Sequence, residues 1–520
     1  MRFMEHIEPT SERLAAAAAE PPRAQPVIDA KKREEVLAGL CTILTAADRA
    51  AVGACAERLL AALPDQTNPF MNAVLVPYGG GKDSSFVLAF IRAVQLHIAR
   101  NCGDTFTLRA VTNYQSGMAV GVTENIDRVY RALGLYDDPK AELLVVAGTS
   151  LLPFHPDFVM PAQLLQADRL SILMNGHHTG GSNRATFCNA CNFGMVRSFS
   201  IALNYRQPAC LIITGDSEVE QRSYFRAVHG VARDLGLPRP KGGGFRSFLR
   251  LVDDIGAAYS SYVYGLEASQ AESAQIDSSP AGELRFFSAF ADTQYDANGH
   301  WELLTEFLGF SFDDLAFSFS ESDCANPALM AHLRGLKAEH LWKRSYAEGV
   351  AEYCKFGLAL MEQKRFPRTL IERMRRRYAD EAAISVMRRR MQRYAEDILG
   401  LTDGHLVCML FAPFTAECRG LDAYLSNVRP QRQPDAEHIR GLLRGERNAP
   451  ALVAELTDWS GLTIESLQAL YKAPLSNNTG ADTQFVGPIR VMFRHEPHQA
   501  PLATQHSSDG CEIVEIESGR

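Results

Sequence analysis

The sequence predicts an α/β fold built on a doubly wound parallel sheet. An apolar strand pattern, residues 73–76, ends in three consecutive glycines and leads into a long helical pattern. Further buried strand patterns then alternate with amphipathic helical patterns through residue 265. Such alternation is typical of parallel sheets with helices on both faces, where ligands bind beyond the carboxyl ends of the strands.

Composition limits the class of protein. A chain of 520 residues can form roughly two to four domains, and 46% hydrophobic with 22% charged residues is ordinary for a globular protein. The net charge of −8 argues against nucleic-acid binding by the whole chain but permits a local basic patch. No apolar run reaches the roughly 18 residues of a transmembrane helix, and no signal-peptide pattern is present. We therefore expect a cytoplasmic protein with no membrane partner, and the sequence does not indicate an oligomeric state.

The α/β domain is expected to carry a helical cap before it and a largely helical domain after it. Helical spacing in residues 30–63 predicts one or two amphipathic helices ahead of the first strand. Residues 484–493 have the pattern of a short strand. The predicted regions are an arm and cap (1–68), the α/β domain (69–265), a connecting or insertion region (266–335), a helical domain (336–475) and a polar tail (476–520).

The turn after the first strand is a predicted phosphate loop. Gly79, Gly80 and Gly81 lack side chains, so their N–H groups can approach an anion closely. The N-terminus of the following helix adds partial positive charge, and Asp83 or Ser84 can cap that helix. The predicted ligand is therefore a phosphate group.

Spacing excludes two common phosphate loops. A Walker loop needs a glycine where Val76 stands and a serine or threonine where Asp83 stands. A dinucleotide-binding fingerprint needs a third glycine in place of Ser84.

The loop resembles the PP-loop of the N-type ATP pyrophosphatases, written Ser-Gly-Gly-x-Asp-Ser after a strand. The run from Gly80 to Ser84 fits this pattern, and Tyr78 or Gly79 replaces the first serine. The resemblance implies an adenine nucleotide alpha hydrolase-like fold that uses ATP and Mg²⁺, releases pyrophosphate and attaches AMP to a carbonyl or amide oxygen. It implies catalytic roles for Lys82 and Asp83. The implied ATP-binding residues of the loop are Tyr78, Gly79, Gly80, Gly81, Lys82, Asp83, Ser84 and Ser85.

Polar residues follow two further predicted strands. Asn113 comes after the strand pattern of residues 105–111 and is a candidate adenosine contact. Asp216 follows the strand pattern of residues 209–214, on the edge of the sheet where the phosphate loop is expected. Asp216 or Glu218 is a candidate for holding Mg²⁺ against the phosphates, with simple helix capping as the alternative.

Cys188 and Cys191 are the one close pair among eleven cysteines, a usage that favours reduced thiols. Cysteines three apart at a helix start present two sulfurs to one point, and the helix N-terminus favours thiolates there. The pair is therefore a candidate for metal ligation, an iron–sulfur cluster or a persulfide. Adjacent His177 and His178 lie in a predicted polar loop, residues 175–183.

The order of PP-loop, Cys-x-x-Cys helix and strand ending in acidic residues resembles that of two-thiocytidine-type tRNA thiolases. That resemblance implies thiolation, with Cys188, Cys191 and Cys324 holding a 4Fe-4S cluster. Some nucleotide-sugar amidotransferases of the same superfamily also carry paired cysteines. They imply an ammonia or amine nucleophile and structural Zn²⁺ at the pair, with His177 or His178 as a further ligand. The implied acceptor is tRNA, a small molecule or a carrier-bound intermediate, with a sulfur or ammonia donor protein as partner; a non-catalytic nucleotide-sensing protein is the remaining alternative.

Residues 363–393 are strongly basic, with eleven lysines and arginines against three acidic residues, a local charge of +8. A solvated helix face would explain this pattern. The alternative is an electrostatic footprint for tRNA or another polyanion.

Overall fold

A computed structural model gives the fold of most of the chain. It describes residues 30–65, 68–181, 185–216, 218–238, 244–265, 284–293, 300–312, 315, 318–319, 326–476, 487–497, 499–505 and 512–518. The helix that carries Cys188 and Cys191 is described, but their side chains are not. Cys324 lies outside the described residues.

A six-stranded sheet occupies the first half of the chain. Its strands are β1 (Ala73–Pro77), β2 (Thr107–Asn113), β3 (Ala141–Ala147), β4 (Ser150–Pro153), β5 (Ala209–Ile212) and β6 (Arg285–Phe286). Their order is β4-β3-β2-β1-β5-β6, and only the β3–β4 pair is antiparallel. The predicted α/β class and largely parallel sheet are confirmed, whereas β4 was not predicted.

The strand order creates a switch point between β1 and β5. From β1 the chain moves through β2 to β3 on one side, and it then crosses to β5 on the other side. Loops that leave β1 and β5 therefore diverge at their carboxyl ends. In open α/β sheets this crevice is where ligands bind.

Helices cover both faces of the sheet. Four pack against one face, on an apolar cluster that includes Val74, Val76 and Leu108. They are α1 (Ala30–Ile43), α2 (Ala46–Ala62), α3 (Lys82–Cys102) and α4 (Val120–Ala132). The opposite face, with Leu75 and Val111, is covered by α6 (Ala185–Leu203) and α8 (Phe245–Tyr264). The described residues of this half also form α5 (Ala162–Thr179) and α7 (Glu218–Asp234).

The second half is helical, as predicted, with helices beginning at Asn326. Within residues 326–476 they are α9 (Asn326–His340), α10 (Tyr346–Gln363), α11 (Arg368–Arg377), α12 (Glu381–Leu399), α13 (Asp403–Phe411), α14 (Leu421–Val428), α15 (Ala436–Leu443), α16 (Pro450–Ser460) and α17 (Ile464–Lys472). Their apolar core also takes in Leu173 and Met174 of α5 and Tyr259 of α8. The two halves of the chain therefore share α5 and α8.

The C-terminal segment folds back onto α7, α8 and the helical half. It contains α18 (Pro488–Arg494) and a hairpin of β7 (Gln499–Gln505) and β8 (Glu512–Ser518). Glu515 of β8 forms ion pairs with Arg334 and Lys337 of α9. Burial opposes ionisation of Glu515, but the two cations outweigh it and lower its pKa to about 2. The tail is thus docked through a buried ion-pair network.

Two local predictions are wrong. Residues 175–183 were expected to be a loop, but α5 continues to Thr179 and ends at Gly180, whose φ of 62° suits glycine. His177 and His178 are therefore helical and buried. The strand pattern of residues 484–493 instead contains α18, which has proline at its first turn, where the missing N–H costs no helical hydrogen bond.

Candidate functional site

The glycine loop leaves β1 at the carboxyl edge of the sheet and turns into α3. Gly80 has a φ of 82°, and a Cβ added there would lie 3.0 Å from Cγ1 of both Val122 and Ile126. The backbone therefore passes so close to α4 that an added Cβ would crowd Val122 and Ile126. This close approach explains glycine at the centre of the loop.

The start of α3 has no side-chain cap. Gly81 is the N-cap residue, so the expected capping by Asp83 or Ser84 is not what the structure shows. The hydroxyls of Ser84 and Ser85 donate to the Gly81 carbonyl oxygen at 3.1 and 2.7 Å. The first N–H groups of a helix have no acceptor within the helix, and an anion is one of the partners that can serve them.

Tyr78 supports the loop from within the core. Its backbone N–H donates to the Val111 oxygen at 2.8 Å, and its carbonyl accepts from Thr112 Oγ1 at 2.8 Å. Its phenol oxygen lies 3.2 Å from Ser85 Oγ, within hydrogen-bond distance, and its ring packs 5.6 Å from that of Tyr130. The Tyr78 hydroxyl thus supports the first turn of α3. Since Tyr78 is a core residue, the position of the first serine in the PP-loop pattern corresponds to Gly79.

The predicted catalytic residues Lys82 and Asp83 lie together at the helix start. Lys82 Nζ donates to Asp83 Oδ1 at 2.5 Å. The Lys82 side chain is 3% exposed and that of Asp83 33% exposed, so the pair joins a buried cation to a partly open carboxylate. Lys82 Nζ also lies 5.6 Å from the centroid of the Trp301 ring.

The loop after β5 reaches the same helix start. A Cβ added to Gly215 would lie 3.1 Å from the Asp83 carbonyl carbon and from the Ser84 nitrogen. Asp216 follows directly, and its carbonyl oxygen accepts from Gln221 Nε2 at 2.8 Å. The predicted magnesium ligand is therefore at the edge that carries the glycine loop. The side chain of Glu218 lies outside the described residues.

Helix α6 runs across the sheet with its N-terminus toward the same edge. A Cβ added to its Gly194 would lie 3.6 Å from Asn113 Nδ2, at the carboxyl end of β2. Farther along, the Ala202 carbonyl accepts from Arg109 Nη1 at 2.8 Å, nearer the amino end of β2. Cys191 and Cys188 precede Gly194 by about 4.5 and 9 Å of helix rise. The turns that carry them thus project beyond the carboxyl ends of the strands.

The two histidines do not turn toward α6. His178 Nε2 lies 3.2 Å from the Val263 oxygen of α8, and the His177 ring lies 6.1 Å from that of Phe414. A residue of α5 that does meet α6 is Thr179, whose hydroxyl lies 3.0 Å from that of Thr186. Thr179 is about 200° around the helix from His177. The arrangement does not favour either histidine as a metal ligand with the cysteines.

Burial keeps both histidines neutral. It lowers the pKa of His177 to about 3, with repulsion from His178 and His405 adding to the effect. It lowers the pKa of His178 to about 4, although hydrogen bonds to the Val263 and Pro474 backbone oppose the change. Among the described residues, neither ring nitrogen of His177 has a hydrogen-bond partner.

Sequence reasoning missed two residues beside the site. Asp168 of α5 accepts from the Ser116 backbone N–H at 3.1 Å and so fastens the loop that follows Asn113. Burial raises the pKa of Asp168, while the bonds from Ser116 oppose that shift. Trp301, beside Lys82, lies far from the glycine loop along the chain. Neither residue belongs to a local motif, and only the tertiary contacts connect them to the loop.

The comparisons give no relative: no family model, curated protein or solved structure matches this chain. Within the described part of the chain, no helix is both long and apolar enough to span a bilayer. The described His, Cys, Asp and Glu side chains form no group of three that could hold a metal ion. The geometry around the glycine loop is therefore the basis for assigning a function.

Proposed function

We propose that this protein is an ATP pyrophosphatase-type enzyme that activates a carbonyl or amide oxygen by adenylation and lets sulfur replace it. One observation carries the proposal: an uncapped helix start with a glycine loop and a buried lysine lies at the switch point of the sheet. Backbone N–H groups and Lys82 suit the pyrophosphate end of ATP. The PP-loop pattern from Gly80 to Ser84 gives the reaction class.

In the proposed reaction the acceptor oxygen attacks the α-phosphorus, and the bond to the β-phosphate oxygen breaks with release of pyrophosphate. A nucleophile then attacks the activated carbon and AMP leaves. Lys82 neutralises charge on the leaving pyrophosphate, and Asp83 holds the ammonium in place at 2.5 Å. Asp83 and Asp216 supply carboxylate oxygens, the donor type that Mg²⁺ prefers, and a bound Mg²⁺ would neutralise phosphate charge.

Sulfur is proposed as the nucleophile because of where α6 begins. Its cysteine-bearing turns extend beyond the sheet edge that carries the glycine loop, so a persulfide or cluster-bound sulfur there would be near the activated carbon. Thiolates are suitable ligands for a cluster, and the first turn of a helix, which reaches Cys188, stabilises a thiolate charge. The alternative of a structural zinc site at the cysteine pair gains no ligand from His177 or His178, because these side chains face Phe414 and α8.

The test is the product of ATP cleavage. With ATP labelled at the α-phosphate and a panel of tRNA, small-molecule and carrier-bound acceptors, we expect AMP and pyrophosphate. Lys82→Ala and Asp83→Ala should abolish product formation. Lys140→Ala is the matched control, because Lys140 lies at the amino edge of the sheet, where its Nζ donates to the Phe70 oxygen at 3.0 Å. ADP and phosphate as products would overturn the proposal.

A further inference from the structure

A short segment with unusual backbone covers the start of α3. His300 has a φ of 65°, uncommon for a residue with a side chain, and its ring lies 4.0 Å from that of Phe86 in α3. Leu303–Phe307 is π-helical. Both features are uncommon and recur at functional sites. Trp301 lies between them.

Trp301 joins the buried lysine to the helical half. Lys82 Nζ lies 5.6 Å from the ring centroid, within the range of a cation–π contact. The same indole packs 4.6 Å from Phe366, in the turn between α10 and α11. Trp301 therefore contacts both the proposed phosphate site and the helices behind it.

The indole N–H of Trp301 is a hydrogen-bond donor that the described part of the chain leaves unsatisfied. The nitrogen is buried and has no hydrogen-bond partner among the described residues. Buried tryptophan N–H groups ordinarily find an acceptor, and leaving a donor unpaired costs about 1–3 kcal/mol. A negatively charged oxygen beside this N–H would accept its hydrogen bond and would also be attracted to the Lys82 ammonium, which already pairs with Asp83.

We propose that Trp301 is a binding residue of the phosphate site: its ring holds Lys82 in position, and its N–H donates to an oxygen of the pyrophosphate end of ATP. The inference rests on the proposed function and adds to it a residue that no part of the PP-loop pattern contains. It also explains why the segment keeps an unfavourable backbone at His300, since that backbone carries the indole to Lys82.

The experiment uses the three tryptophans of the chain. In the Trp342→Phe/Trp459→Phe variant, Trp301 is the only tryptophan. We expect inorganic pyrophosphate with Mg²⁺ to shift the wavelength of its fluorescence emission. Calorimetry should show pyrophosphate binding weakened about tenfold or more in Trp301→Phe, which keeps a ring but loses the N–H. Trp301→Leu, which also loses the ring, should bind more weakly still.

Trp342→Phe alone is the matched control. The Trp342 ring also lies against cations, 5.0 Å from Arg334 and 5.4 Å from Lys337, but these belong to α9. The pyrophosphate affinity of the Trp342→Phe variant should equal that of the native protein.

The possible failures are distinguishable. If the native protein binds neither ATP nor pyrophosphate, the proposed function and this inference both fail. If binding depends on Lys82 but Trp301→Phe binds as tightly as the native protein, the assignment of Trp301 alone is wrong. Should the Trp301 variants not fold, an unchanged emission from the Trp342→Phe/Trp459→Phe variant at saturating pyrophosphate would equally overturn it.

Discussion

At Gly80 a single backbone position sets the shape of the proposed phosphate site. The residue combines a left-handed φ of 82° with 3.0 Å between its absent Cβ and the side chains of Val122 and Ile126. Any side chain would strain the backbone and crowd these two residues of α4. The close approach distinguishes this glycine from Gly103, which also has a positive φ but where an added Cβ meets nothing within 4 Å.

Gly80→Ala should therefore abolish ATP binding, measured by calorimetry, and lower the free energy of unfolding by more than backbone strain alone. Gly103→Ala is the matched control: Gly103 ends α3 with a φ of 80°, but an added Cβ meets nothing within 4 Å. We expect that variant to lose about 1 kcal/mol through strain and to bind ATP normally. Equal ATP affinity in the two variants would contradict this account of the loop.

At the scale of one element, the end of α5 makes stability depend on pH. The folded-state pKa values of His177 and His178, about 3 and about 4, lie below the ordinary value of 6.5. The unfolded chain therefore takes up protons that the folded chain does not bind. This contribution to stability is complete above pH 6.5 and is lost as the pH falls toward the folded-state values, by about 2 kcal/mol per histidine at pH 5.

Denaturant unfolding at pH 7 and pH 5 checks this expectation. His177→Leu should lose less stability between the two pH values than the native protein, by about 2 kcal/mol. His155→Gln is the control, because the His155 side chain is 69% exposed, and it should behave as the native protein does. If His177→Leu shows the native pH dependence, His177 is not neutral and buried as described.

The same elements show what the sequence could predict. The glycine loop and α3 follow from a local pattern of glycines and apolar spacing. The end of α5 was mistaken for a loop because glycines and polar residues from Asn175 onward are typical of loops, whereas packing against α8 and α13 keeps the segment helical. β4 contains a proline and forms only by pairing with β3. Trp301 had no local signal, since its partner Lys82 is distant in the sequence.

At the scale of the molecule, the basic helices lie against the candidate site. Tyr394 of α12 donates to the Gly117 oxygen at 2.5 Å, in the loop after Asn113. Part of the local charge is neutralised, because Arg375 pairs with Glu362 and Arg388 with Glu339. The exposed arginines of α11 and α12 include Arg368, Arg376, Arg389 and Arg393.

If these helices bind a polyanion such as tRNA, reversing the charge of Arg368, Arg376 and Arg393 together should weaken binding. It should also reduce the slope of log affinity against log salt by about two to three, as expected for three lost phosphate contacts. Filter binding across a salt series measures both quantities. Charge reversal at Arg419 and Arg447, exposed arginines elsewhere in the helical half, should change neither. Unaltered binding in the triple variant would mean that the patch is a solvated face.

The two borders of the sheet have a consequence for how the protein behaves at high concentration. Open strand edges are templates on which other chains add strands and aggregate. Here one border is β4, four residues long and ending at Pro153, and the other is β6, two residues long. A border strand so short, or closed by proline, gives an incoming strand few hydrogen bonds to form. The sheet is thus protected against edge-to-edge assembly.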